Sequence, residues 1–306
     1  MNYPHPSATT TSGSERRLSG AIILGVPIVL ILVTFLFWYQ TWFGRKLSDS
    51  EMNEYLQDTS IPHKTQHALT QVATEIIQHD PAAVRLYPQV VAMAGNKEAG
   101  LRSMAAWVMG QDNSCAEFHQ ALLKLVGDAD PVVRSNAALA LARFGDAAGD
   151  AQLRAMLLPY DLRSPFAGSL TFSVKTSDTV KSGTVVAHVT GSGPDPVEIR
   201  APFSGVVLHL APTHGATIAA GDEIAVISPD DQQLWEALRA LYLVGGSDDL
   251  QTIEALARPA AGPSGRVREQ AALTAEAIRK RASSSPEHAN GDSKQPKTVS
   301  AKEKSP

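Results

Sequence analysis

The stretch Arg200-Ala-Pro-Phe-Ser-Gly-Val-Val207, RAPFSGVV, restates Arg163-Ser-Pro-Phe-Ala-Gly-Ser-Leu170, RSPFAGSL, at an offset of 37 residues. The duplication runs on: Asp178–Val189, DTVKSGTVVAHV, is echoed at an offset of 38 by Ala216–Ile227, ATIAAGDEIAVI. Each half reads Pro-x-x-Gly, an apolar run, a turn glycine (Gly183 or Gly221) and a second apolar run. Short β-branched runs punctuated by turn residues predict strands. Those runs are Leu170–Val174, Thr184–Val189, Val197–Ile199, Gly205–Leu210 and Glu223–Ile227. Residues 161–230 are therefore expected to form an all-β unit, written twice because its two halves are alike.

Two such halves resemble the biotinyl/lipoyl domain, a flattened β-barrel (barrel-sandwich hybrid) with a pseudo-twofold axis. On that resemblance Pro165 and Pro202 open corresponding strands, Gly168 and Gly205 allow bends, and Gly183 and Gly221 serve the turns. The segments Pro165–Gly168 and Pro202–Gly205 are also the candidate binding edges of the unit. Carriers of this family hold biotin or lipoate through an amide to a lysine in the hairpin between the halves. Here that hairpin falls at Thr190–Pro196, TGSGPDP, which has no lysine; Lys175 and Lys181 both lie in the first half. The resemblance therefore implies no cofactor. Without that hairpin lysine the unit is similar to the corresponding segment of membrane-fusion (hemolysin-secretion D-like) adaptors, which are tethered by one N-terminal membrane helix. It departs from them in having a short turn where they insert a helical hairpin, and in lacking a legible later β-barrel.

Outward from this unit the pattern is helical. Leu101-Arg-Ser-Met-Ala-Ala-Trp-Val-Met109 aligns with Val133-Arg-Ser-Asn-Ala-Ala-Leu-Ala-Leu141 at an offset of 32, and the same frame falls on Leu69, Val72, Ala73 and Ile76. A repeat of this length with apolar residues at helical spacing predicts stacked helix pairs, although a nonrepeating bundle shares the Ala-rich faces. Asp80-Pro81 and Asp130-Pro131 supply caps with first-turn prolines, and Gly110, Gly127 and Gly145 mark helix ends. The segment Val133-Arg134 with Ala137-Ala138 resembles HEAT repeats, in which the arginine can reach an acidic side chain of the adjacent repeat. Val267-Arg268-Glu-Gln-Ala-Ala-Leu273 is a further copy, preceded by a helical pattern at Leu234–Val244. Three repeats are expected over 51–160 and one or two degenerate ones over 231–281. Arg102 and Arg134 mark the candidate binding face of the array.

The ends of the chain set its context. From Leu18 to Gly44 there is no charged residue, so residues 19–44 are expected to span a bilayer, with 1–18 a short polar arm. Trp38, Tyr39 and Trp42 cluster at one end, as rings at a membrane boundary do. A cleaved signal peptide is the rival, but its apolar region is normally shorter and no Ala-x-Ala-like site follows. Arg16 and Arg17 before the span balance Arg45 and Lys46 after it, so orientation rests on the adaptor resemblance. That resemblance places the protein in a bacterial inner membrane with its bulk on the outer, periplasmic side. Residues 282–306 are rich in Ser, Pro and Lys, with no aromatic residue, and are expected to be disordered.

Composition limits the chemistry. The formal net charge of -4 gives no reason to expect nucleic acid, and one cysteine excludes an internal disulfide. His63 and His67, and Cys115 and His119, are spaced i, i+4. The first pair lacks the glutamate of a zincin helix, and Asp112 and Asn113 ahead of Cys115 suggest a helix cap. His188, His209 and His214 in the β unit have no partners at metallopeptidase spacing. No metal and no enzyme are expected. The chain reads as an α+β multidomain, membrane-anchored scaffold with protein partners and lipid contact through 19–44. The alternatives are a biotin or lipoate carrier of an acyl- or carboxyl-transfer enzyme, or an accessory subunit of a membrane enzyme.

Overall fold

The computed structural model describes residues 28–35, 45–191, 193, 195–259 and 262–284. The chain divides into residues 1–52 and 53–306. In the first unit residues 28–35 are helical (α1), with Ile28–Val33 and Phe35 exposed. Among the described residues no helix is long and apolar enough to cross a membrane. The span expected over 19–44 lies outside the described residues except for 28–35, as do the arm 1–18 and residues 285–306. Farther on, Glu51 Oε2 accepts from the Ser48 amide at 2.9 Å while Ser48 Oγ accepts from the Glu51 amide at 3.3 Å. This reciprocal pair caps the start of α2 (Asp49–Gln57).

The second unit is α+β. Its helices are α3 (Pro62–Ile77), α4 (Tyr87–Met93), α5 (Ala99–Met109), α6 (Ala116–Leu125), α7 (Pro131–Arg143) and α8 (Asp150–Ala155), followed after the strands by α9 (Asp231–Val244), α10 (Leu250–Ala257) and α11 (Gly265–Ser284). The cap at Asp130 holds: its carboxylate accepts from the Val132 and Val133 amides at 2.8 and 3.2 Å. Asp80 instead opens a 3-10 turn, Pro81–Leu86, ahead of α4. The frame Leu69, Val72, Ala73, Ile76 is buried along α3, as the periodicity requires. Helix α11 continues through Ser284, past the boundary expected at Arg281.

The helices after the strands do not form a separate block. One apolar core joins Ala138, Ala142 and Leu153 to Leu238, Leu241, Ile253, Val267 and Ile278. Helices α5, α7, α9 and α11 pack in succession as one row. The β unit is thus an insertion between α8 and α9 of a single helical array.

The β unit has eight strands: β1 (Tyr160–Arg163), β2 (Gly168–Phe172), β3 (Thr179–Val180), β4 (Val185–Thr190), β5 (Val197–Arg200), β6 (Gly205–Leu210), β7 (Thr217–Ile218) and β8 (Glu223–Pro229). They form two antiparallel sheets, ordered β1-β8-β6-β3 and β5-β4-β2-β7. Shifting the first half onto the second turns one order into the other, strand for strand. Each half therefore gives two strands to each sheet, and neither half is a folding unit alone. Strands β1, β3 and β7 escaped the sequence reading: β1 is Tyr-Asp-Leu-Arg with no β-branched run, and the other two have two residues each. The change of offset from 37 to 38 is located at Leu208, where a bulge in β6 lets Val207 and His209 face consecutive residues of β8. The core between the sheets includes Leu170, Val186, Val189, Val207, Ile224 and Ile227.

Candidate functional site

The duplicated phrases carry matched hydrogen bonds. Arg163 donates to the carbonyl of Gly221 at 3.1 Å, and Arg200 donates to the carbonyl of Gly183 at 2.6 Å. The Gly183 amide donates to Ala201 O at 2.8 Å, and the Gly221 amide to Ser164 O at 2.7 Å. Each strand end thus binds the turn of the other half. Gly183 and Gly221 have φ of 84° and 93°, which l-residues rarely adopt. Gly168 and Gly205 lie where a Cβ would overlap the carbonyl oxygens of Thr190 and Ser228. Arg163, Arg200, Gly183 and Gly221 therefore interlock the halves, while Gly168 and Gly205 allow close strand approach within each half.

The two Pro-Phe loops differ in surroundings. Phe203 packs edge-on against Tyr160, with ring centroids 5.6 Å apart. Next to it, Ser204 O accepts from the Asp230 amide at 3.2 Å, and Gln233 reaches Met156 O at 3.1 Å. This is the junction with the helical array, and Pro202 is half-buried there. The related loop leaves Pro165 exposed and Phe166 46% exposed.

Arg102 and Arg134 are engaged inside the array. Arg102 forms a bidentate pair with Asp128 at 2.7 and 2.8 Å and donates to Asn96 O and Lys97 O. Hydrogen bonding from Arg102 holds the Asp128 carboxyl below its ordinary range. Arg134 repeats the backbone contacts at Asp128 O and Ala129 O but meets Gln152 Oε1 at 3.2 Å rather than an acid. Arg268 donates likewise to Pro263 O. All three arginines bind the loop five or six residues upstream, so the repeat signature here fastens each loop to the helix that follows it.

The groove that the helices form was not singled out by sequence. It has a volume of about 570 Å³ and crosses the row α5, α7, α9 and α11. Helix α5 and the turn after it contribute Trp107, Gly110 and Gln111; α7 contributes Asn136, Leu139, Ala140, Ala142 and Arg143. Helix α9 contributes Trp235, Glu236, Arg239, Ala240, Tyr242 and Leu243, and α11 contributes Gln270 and Leu273. Trp107, Leu139 and Leu273 occupy the same place in the repeat, immediately after the Ala-Ala step. The available signal was Trp107 itself, a large ring just outside the buried Ala105-Ala106 face of α5. Trp107, Tyr242, Leu243 and Leu273 are 39 to 52% exposed. A second hollow, about 610 Å³ between α4 and α6, is lined by Val91, Ala94, Gly95, Ala116, Glu117, Gln120, Ala121 and Lys124 and has no aromatic residue.

The titratable candidates do not converge. Cys115 is the cap residue of α6, with its thiol 3.3 Å from Glu117 Oε2, and burial raises its pKa. His119 turns instead to Asp146, Nε2 to Oδ2 at 2.7 Å. Asp112 accepts from Tyr87 and Ser114. His188 lies by Ser173 and Glu198, and His214 Nδ1 accepts from the Phe172 amide. His63 and His67 are on α3. Among the described residues no group of three or more His, Cys, Asp or Glu side chains could hold a metal ion.

No curated protein matches the chain. Residues 87–167, from the start of α4 to the end of the first Pro-Phe loop, match the HEAT repeat family, so the part of the array from α4 to α8 is HEAT-like.

Proposed function

We propose that the protein is a noncatalytic, single-pass membrane-anchored adaptor that holds protein partners on its HEAT-like array and on an inserted lipoyl-like β unit. The observation that carries this reading is the groove across α5, α7, α9 and α11, which leaves large apolar side chains open to solvent on an array of a kind that presents extended binding surfaces. The exchange of strands between two like halves supports the lipoyl-like assignment, because a pseudo-twofold barrel is what that resemblance implies. The connection after β4 offers no lysine amine for an amide-linked cofactor, which favours an adaptor over a carrier. The apolar run over 19–44 supports an anchor, and the adaptor resemblance supports a bacterial inner membrane with the bulk outside.

Crosslinking of the full chain in membranes, followed by capture and peptide sequencing, tests the adaptor role. Discrete protein partners are expected, and their absence refutes it. Intact-mass measurement of the same preparation is expected to give the unmodified chain; a biotin or lipoate adduct on a lysine establishes the carrier instead. A C-terminal reporter active only in the cytoplasm reverses the orientation.

A further inference from the structure

Trp235, on the wall of the groove, lies against two guanidinium groups: Arg266 is 3.7 Å and Arg239 4.6 Å from the ring centroid. Neither arginine has a carboxylate partner among the described residues. Arg143, farther along the same groove, donates to Gly110 O and Gln111 Oε1 and has no carboxylate partner there either. The one acid of the lining, Glu236, accepts from Gln232 at 2.6 Å. Elsewhere in the array Arg102 is matched with Asp128, Arg154 with Asp150 and Asp249, and Arg279 with Glu254, while Arg134 and Arg268 are held by backbone carbonyls. The groove therefore collects like charge around an apolar floor. Two cations held near one indole repel each other, and anions brought to these arginines relieve that repulsion.

We infer that this groove binds an acidic peptide segment with apolar anchors, presented by a partner protein. The inference deepens the adaptor reading and rests on it. Carboxylates of the segment pair with Arg143, Arg239 and Arg266, while its apolar side chains cover Trp107, Leu243 and Leu273. Two observations select this occupant. Trp107, Tyr242, Leu243 and Leu273, spread along the lining, remain 39 to 52% exposed, so the occupant presents a continuous surface rather than a single small headgroup. The chain's own ends do not complement the charge: residues 285–306 contain four lysines, three acids and no aromatic residue, and residues 1–27 contain two arginines and one acid. A flat anionic bilayer meets the rim arginines but leaves the floor of a groove uncovered, so a peptide is the better fit.

The test places a photo-crosslinking residue at Leu243 of the full chain in membranes and, in a parallel preparation, at Phe166 on the β unit. Crosslinked peptides are sequenced, and crosslinked lipid is measured by mass. Supporting the inference, position 243 captures protein segments of net negative charge containing aromatic or large aliphatic residues. The yield falls about tenfold in the double variant Arg239→Glu/Arg266→Glu and is retained in Arg239→Lys/Arg266→Lys. Capture of basic or neutral segments, capture of lipid alone, or an unchanged yield in the Glu variant overturns it. Should the Glu variant fold poorly by circular dichroism, Arg239→Gln alone is used, and an unchanged yield there is equally fatal. Capture at 166 without capture at 243 removes the groove inference and leaves the adaptor reading standing; no capture at either position removes both.

Discussion

Gly205 and Gly221 are both glycines of the duplicated unit, but the structure assigns them different costs on substitution. A Cβ at Gly205 would overlap Ser228 O and lie 2.9 Å from Ile227 Cγ2 and 3.0 Å from the Ser228 carbonyl carbon. Carbon and oxygen atoms repel at such separations, and the obstruction is backbone, so β6 must move away from β8. Overpacking costs about 1–3 kcal/mol and loss of two ladder bonds adds about 2 kcal/mol, so Gly205→Ala costs about 3–5 kcal/mol. Gly221 has open space within 4 Å and only its φ of 93° to sustain, so Gly221→Ala costs about 1–2 kcal/mol of backbone strain. Hydrogen exchange read by mass spectrometry over β6 separates the two. With about 2–3 kcal/mol between them, Gly205→Ala loses roughly 30- to 150-fold more protection than Gly221→Ala. Melting followed by near-ultraviolet circular dichroism should fall by about 10 °C for Gly205→Ala and about 3–6 °C for Gly221→Ala. Equal effects, or a larger one at Gly221, would mean that close approach of β6 to β8 is not what Gly205 provides.

Three further outcomes follow from the geometry. Arg102→Leu strands the Asp128 carboxylate, whose pair has side chains only 16% and 11% exposed, and should cost about 3–5 kcal/mol by thermal unfolding. Because Arg102 lowers the folded pKa of Asp128 below 3.8, its contribution is present above that value and lost as pH falls through the lower folded pKa; an Asp128→Asn variant should converge on wild type only in that acid range. Asp150 behaves oppositely: burial, then the neighbouring Asp249 carboxyl, push it up to about 6 despite Arg154. The folded state then binds the proton more readily than the unfolded one, so Asp150 favours folding increasingly as pH falls through about 6, and the melting difference between Asp150→Asn and wild type should shift in wild type's favour from pH 7 to pH 5. Phe203→Ala should lower stability by about 1–2 kcal/mol through loss of the Tyr160 contact, while Phe166→Ala, at the equivalent and exposed position, should stay within about 0.5 kcal/mol in the same measurement.

That last contrast shows where sequence stops. RSPFAG and RAPFSG are nearly interchangeable as strings, and the shape they imply, two like halves, is the one observed in the sheet orders. Their different surroundings depend on Tyr160 and Gln233, which belong to the chain's passage into and out of the helices. Local periodicity reports which side of a helix is apolar, so α3, α5, α7 and α9 were legible. It does not report which surface a neighbouring helix leaves open. The groove arises from residues spread between Trp107 and Leu273, separated by the whole β unit, and only their equivalence within the repeat connects them. Arg102 and Arg134 were visible for the same reason that their contacts were not: the repeat fixes the residue, whereas the partner, Asp128 in the loop before α7 or Gln152 in α8, depends on the segment that follows.

The insertion point bears on how the two parts can act together. Tyr160 pairs with Ile227 across β1 and β8, so the chain leaves α8 and returns to α9 through adjacent strands of one sheet. Helix α9 then takes the next place in the row, with Ala237 and Leu241 buried in the same core as Ala138 and Leu153. A β unit attached through a closed strand pair disturbs the array little, because its ends are already side by side. The converse also holds: α9 carries Trp235 and Arg239 in the groove and begins at the Asp230 cap that binds Ser204 of the β unit. Any occupant that shifts α9 along its axis must work against the hydrogen bonds at Ser204 and Met156, and any load on the Phe203 loop is delivered to the start of the helix that forms the groove wall.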